Sequence, residues 1–301
     1  MKEQKEASVE PFYRYRGVSK CLSEGISFLT NHFFRLLWLT LPVALPLAFA
    51  IGALLFVQSD ESLFLYSSAG TVWTIGLAAI AFLLFAALIA TIFQLLVVRS
   101  REEEWWRLRW RHVYGVDWLK RIIPTLVVYV LQACVLALFV WVTFKISGLQ
   151  AEKDELSLSV AKIVGYLVLA MGALAVLVPS SLCLPSAQLG EGGLFSLIWQ
   201  GYRMGWRKWG KVFGLALLSS IIINVISLLL CSPAVLSFFV KKEAVASLLQ
   251  GDAVALPSSF TFWASVLFVL TSYLISLVQL VGVVPQSFLY ASIKSDEQTE
   301  N

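Results

Sequence analysis

The sequence predicts an all-α, polytopic membrane protein: six transmembrane helices arranged as three hairpins, with cytoplasmic interfacial amphipathic helices. Three observations predict it. Hydrophobic residues make up 58% of the 301 residues and charged residues 14%, with a mean hydropathy of +0.79, whereas soluble chains sit near half apolar and a quarter charged. The apolar residues fall in runs of about 20 or more, the length a helix needs to cross a hydrocarbon core of about 30 Å. The charge that remains is clustered between those runs.

The elements follow in chain order. The first 20 residues carry Lys2, Glu3, Lys5, Glu6, Glu10, Arg14, Arg16 and Lys20 with no apolar core, so no removable leader is expected. Spans are predicted over 36–57, 72–98, 122–144, 163–184, 212–230 and 262–284, all within one integral membrane domain, 1–301. The runs lack the alternating polarity of a barrel wall, which excludes strands. Of the 23 lysines and arginines, 18 fall in the N-terminal segment, the second and fourth connections and the C-terminal tail. Only five fall in the other three connections, so both termini are expected in the cytoplasm. Trp73, Trp141 and Trp263 lie near the predicted outer ends of spans, and Trp38, Trp105, Trp106, Trp118, Trp206 and Trp209 near the inner ends. Indoles favour that headgroup level.

Each odd-numbered span is preceded by an aromatic and basic stretch: GISFLTNHFFRLL, VYGVDWLKRI and GYRMGWRKWGKVFGL. Phe34, Trp118 and Trp209 occupy comparable places in them, 84 and 91 residues apart. The pattern predicts three units, each an interfacial helix plus a hairpin. In the third stretch and just before it, Trp199, Tyr202, Trp206 and Trp209 share one helical face, while Arg203, Arg207 and Lys211 recur every four residues beside it. Aromatics sunk below the headgroups with bases snorkelling upward account for that spacing. REEEWWRLRWRH (101–112) has the same character. The candidate contacts to anionic lipid headgroups are therefore Arg107, Arg109, Arg111, Arg203, Arg207, Lys208 and Lys211.

Catalytic chemistry finds little footing. Glu102, Glu103 and Arg107 spell the E-E-x-x-x-R of CAAX-type membrane proteases, which also need F-x-x-x-H and a further histidine motif downstream. Here Phe28 and His32 lie upstream, and His112 is followed at its fourth place by Val116. Ser219 and Ser220 lie in the fifth span, but no span holds a histidine to act as base. H-E-x-x-H, Walker A and dinucleotide signatures are absent. Cys21, Cys134, Cys183 and Cys231 form no C-x-x-C and no metal-ligand spacing. No cofactor, metal or nucleic-acid partner is expected. The predicted span interiors hold no ionisable residue, leaving Gln94, Gln132, Asn224 and Gln279 as intramembrane polar candidates. Such amides more often bond a neighbouring helix than a substrate. Pro42 and Pro46 share one face of the first span and are expected to bend it.

The run LCLPSAQLGEGGLFSLIWQGYRMGWRKWGKVFGLALL (182–218) joins a span ending near Pro185, the pair Glu191-Gly192 and a basic-aromatic turn from Arg203 to Lys211. It resembles the membrane domain that precedes the catalytic domain of some bacterial glycerophosphodiester phosphodiesterases, and that domain's stand-alone relatives. FLYASIKSDE (288–297) and YRGVSKCLSEGISFLTNHFFRLL look like the same family's ending and opening helix. The resemblance implies six helices with both ends inside. It implies no catalytic residue, because that family's hydrolase chemistry lies in a separate soluble domain. The expected function is that of a non-enzymatic bacterial inner-membrane protein, a scaffold or partner subunit or a lipid-handling protein. An uncoupled transporter is the alternative, and an intramembrane hydrolase comes third. Anionic lipids and a membrane-protein partner are the expected associates.

Overall fold

The computed structural model describes residues 12–59, 68–100, 110–147, 155–249, 257 and 259–300. Among these residues the protein is all-helical: α1 (Val18–Asn31), α2 (Phe33–Ser59), α3 (Ser68–Ser100), α4 (Trp110–Val113), α5 (Val116–Ser147), α6 (Glu155–Ser180), α7 (Cys183–Leu189), α8 (Leu194–Arg207), α9 (Trp209–Leu249), α10 (Phe260–Val278) and α11 (Leu280–Glu300). Six stretches are long and apolar enough to cross a membrane: Phe33–Leu54, Val72–Val98, Val116–Ser147, Lys162–Leu189, Trp209–Lys241 and Phe260–Glu297. The protein is a multi-pass membrane protein.

Several helices outrun the predicted spans. α9 has 41 residues, about 60 Å at 1.5 Å per residue. α5 begins at Val116, six residues before the predicted 122. Hydropathy marks where a helix leaves the hydrocarbon, whereas its backbone hydrogen bonds continue into the headgroups. The sixth span comprises two consecutive helices, α10 and α11. They break at Gln279, where the Gly282 N–H donates to the Gln279 carbonyl at 3.0 Å, a tighter i−3 turn.

Each span packs on the next, and α10 closes on α2. The main buried cluster sits at one end of the bundle, here termed the basic end, where the N-terminal segment, α8 and the tail of α11 meet. Phe28 and Leu39 lie there with Ile92, Phe93, Leu182, Leu215 and Phe288. Farther along, α5, α6 and α9 expose Leu138, Trp141, Leu167, Met171, Leu228 and Leu236. Only 11% of the α5 span window and 17% of the α9 window are buried, against 50% for the α2 span. Such exposure costs little only if lipid covers it.

Phe34, Trp118 and Trp209 are the second, third and first residues of α2, α5 and α9, so the sequence rhythm coincides with helix starts. A short helix precedes each, but α4 has four residues where α1 and α8 have 14. Their roles also diverge. The Phe34 side chain is exposed, Trp118 donates to Thr91 Oγ1 at 3.0 Å, and Trp209 stacks on Phe213 at 4.8 Å.

Candidate functional site

α8 is built to lie closely on its neighbours. Leu197, Gly201, Met204 and Gly205 form its buried stripe, while Phe195, Trp199, Arg203, Trp206 and Arg207 face outward. Close approach needs the glycines. A Cβ at Gly201 would stand 2.7 Å from the Leu182 carbonyl oxygen, and one at Gly205 would stand 2.5 Å from that of Pro179. Ser186 Oγ donates to the Leu197 carbonyl at 2.8 Å and fixes the register of α7 on α8. On the outer side, Trp199 stacks with Tyr202 at 6.0 Å, and Tyr202 with Trp206 at 6.5 Å.

Beneath this aromatic ladder runs a lateral groove of about 350 Å³. Val128, Leu131 and Val135 of α5 form one wall, Val176 and Leu177 of α6 another, and Phe195, Ile198, Trp199 and Tyr202 of α8 the roof. Val128 to Val135 is two helical turns, about 10 Å of depth along α5. The polar group on its wall is the pair Gln132–Ser180, in which the amide donates to the Ser180 carbonyl and hydroxyl oxygens at 3.3 Å each. A further cavity of about 620 Å³ lies between α2 and α10, and one of about 560 Å³ between α9 and α10.

The four predicted bases of this rim have different fates. Arg203 is exposed, one turn beyond Trp199. Arg207 Nη1 donates to Glu297 Oε1 at 2.9 Å and Lys208 Nζ pairs with Asp296 Oδ2 at 3.5 Å, both acids on the tail of α11. Lys211 Nζ lies 4.9 Å from the centre of the Tyr15 ring. Arg107 and Arg109 lie outside the described residues, as do Glu102 and Glu103, and Arg111 is described only by its place in α4. Trp110 of α4 stacks on Trp38 at 5.0 Å and donates to its carbonyl at 3.0 Å.

The predicted polar candidates do not converge. Asn224 is exposed and bonds its own helix, at 2.8 Å to the Ser220 carbonyl and 3.1 Å to its hydroxyl. Gln279 sits half-buried at the α10–α11 break. Gln94 joins a network that sequence reasoning missed. Arg121, expected in a connection, lies in the second turn of α5 and donates to Gln94 Oε1 at 2.6 Å and to the Gln188 carbonyl at 2.9 Å. Gln188 Nε2 returns bonds to the Arg121 carbonyl at 2.7 Å and to Thr125 Oγ1 at 2.8 Å. This network ties α3, α5 and α7 together. No sequence signal marks it, because its members lie 27 and 67 residues from Arg121.

A second unforeseen cluster anchors the N-terminal segment. Arg16 is buried, and its guanidinium donates to Glu24 Oε2 and to the Phe12 carbonyl, both at 2.6 Å. Arg14 holds the other Glu24 oxygen at 2.6 Å. The Arg16 N–H donates to Ser292 Oγ at 2.7 Å, stitching this segment to α11. Partial burial raises the Glu24 pKa, but the two arginines outweigh it and hold the carboxyl below its ordinary value. Burial pushes the Cys21 thiol up to about 11, which keeps it protonated and a poor nucleophile. Among the described residues no group of three His, Cys, Asp or Glu could hold a metal ion. What the arrangement offers chemically is an apolar slot with a cationic rim. No family model matches the chain, and neither a curated protein nor a solved structure matches it.

Proposed function

We propose that this protein handles anionic lipid in a bacterial cytoplasmic membrane, without catalysing a reaction on it. The lateral groove beneath α8 carries the reading. Its lining is predominantly apolar, with polar groups from Gln132, Ser180 and Tyr202, its volume lies within the usual range for a ligand site, and it runs along α5 and α6. An acyl chain fits such a slot, and the exposed Arg203 beside Trp199 and Tyr202 would meet the headgroup phosphate. The distribution of lysine and arginine supports a cytoplasmic position for this rim and for both termini. The resemblance of 182–218 to the membrane domain that accompanies glycerophosphodiester phosphodiesterases points the same way. A transport path would call for a polar cavity reaching the Asn224 and glutamine side chains, and the grooves described are lined mainly by aliphatic and aromatic groups.

The test is native mass spectrometry of lipid retained from mixed phosphatidylglycerol and phosphatidylcholine. Arg203→Gln should reduce phosphatidylglycerol retention about five-fold, since each base near an anionic headgroup contributes about 1 kcal/mol. Val135→Trp, which fills the slot, should reduce retention of both lipids. Unchanged retention in both variants would overturn the reading.

A further inference from the structure

The two best-placed cations after Arg203 are already occupied, and by groups of one kind. The Glu297 carboxylate takes Arg207 at 2.9 Å, and the Asp296 carboxylate takes Lys208 at 3.5 Å. Arg207 stands one helical turn beyond Arg203, so all three cations line the same end of α8 and the step into α9. The pairs are not sealed in: the Arg207 side chain is 58% exposed and the Glu297 side chain 28%. Pairs of this kind are weak and screened by salt. The tail is also anchored by other contacts: Phe288, Tyr290 and Ile293 are buried in the main cluster, and the Ser292 hydroxyl accepts from the Arg16 N–H at 2.7 Å and donates to the Arg16 carbonyl at 3.1 Å. The acids thus sit on a backbone fixed by other contacts, where they can release their cations without the tail unfolding.

We infer that the tail carboxylates of Asp296 and Glu297 are built-in competitors of the ligand, standing where the oxygens of a phosphate-bearing lipid headgroup bind on Arg207 and Lys208. This rests on the lipid reading of the groove. A carboxylate and a phosphodiester present the same geometry to a guanidinium, two oxygens on one centre. When the acids release, α8 offers Arg203, Arg207 and Lys208 together, a site suited to a doubly anionic or phosphomonoester headgroup. With the acids in place, Arg203 is the one of these three cations not paired with a tail carboxylate, and a single negative charge suffices. The tail then sets both the affinity and the headgroup charge the rim prefers.

The experiment measures retention of phosphatidylglycerol, phosphatidic acid and phosphatidylcholine by full-length protein in detergent. The variants are Asp296→Asn/Glu297→Gln, each single amide variant, and the double amide variant carrying Arg203→Gln. The double amide variant should bind phosphatidic acid at least about five-fold more tightly, with a steeper loss at high salt and no change for phosphatidylcholine. Each single variant should show part of that gain, and thermal unfolding should stay near wild type. Unchanged phosphatidic acid binding in the amide variants, with Arg203→Gln still weakening retention, would overturn the competition and leave the groove reading standing. If Arg203→Gln and Val135→Trp also change nothing, the groove reading falls and this inference with it. Inorganic phosphate is the control for the source of the anion. If it binds the double amide variant as tightly as phosphatidic acid does, with no loss in Val135→Trp, the rim is a free-phosphate site and the lipid-headgroup proposal is overturned.

Discussion

At the residue scale, Glu24 carries two arginines at once, and its removal should show what the buried Arg16 requires. Arg16 is 2% exposed. Glu24→Gln removes a carboxylate 2.6 Å from that guanidinium and replaces it with a neutral amide. Glu24→Gln should therefore cost about 3 kcal/mol, toward the lower end of what breaking a buried pair costs, measured as a drop in thermal midpoint in detergent. The pH dependence has a definite sign. The folded-state pKa of Glu24 is depressed, so its stabilisation is fully present above the ordinary glutamate value and is lost as pH falls through the lower folded value. Glu24→Gln should flatten that acid limb, and an unchanged limb would show that other carboxylates produce it. Neither Glu24 nor Arg121 was legible as a key residue in the sequence. The sequence marks both only as charges outside the predicted spans; the partners of Arg121 lie on α3 and α7, and those of Glu24 come from the stretch just before its own helix.

At the scale of the element, α8 was half legible. The spacing predicts one helical face for Trp199, Tyr202, Trp206 and Trp209; the first three stack in turn along α8, whereas Trp209 lies past the end of α8 and begins α9. The inward face was not legible, because Gly201 and Gly205 matter through what touches them. Their small size lets α8 settle on the backbone of Leu182 and Pro179. Gly201→Ala and Gly205→Ala should each destabilise by about 1–3 kcal/mol, the usual cost of overpacking a tight contact. They should do so although alanine is the better helix former. Gly210→Ala, where a Cβ would meet nothing within 4 Å, is the control and should be neutral or slightly stabilising. Equal unfolding midpoints for all three variants would refute the close-approach account. Helix ends followed another rule than hydropathy. The break at Gln279 and the continuation of α11 to Glu300 came from backbone hydrogen bonding and tail contacts, which an apolar run does not encode.

At the scale of the whole molecule, the asymmetry of charge predicts the way up. A C-terminal fluorescent or phosphatase fusion should report the cytoplasm, and alkaline phosphatase activity there would reverse the proposed topology. Composition and run length were enough to determine the class, because a bilayer admits few backbone solutions and apolar helices of this length are the simplest. The candidate bases were equally visible, since clustered charge beside apolar runs is a one-dimensional signal. What only the tertiary structure decided is which of those bases are occupied, and by what. Asp296 and Glu297 lie 88 and 90 residues from Lys208 and Arg207, and the groove has walls from three helices. Such proximity depends on how the spans close into one bundle. Lipid-facing surfaces look alike in sequence whether or not they enclose a slot, because burial against a neighbouring helix and burial against an acyl chain ask for the same side chains.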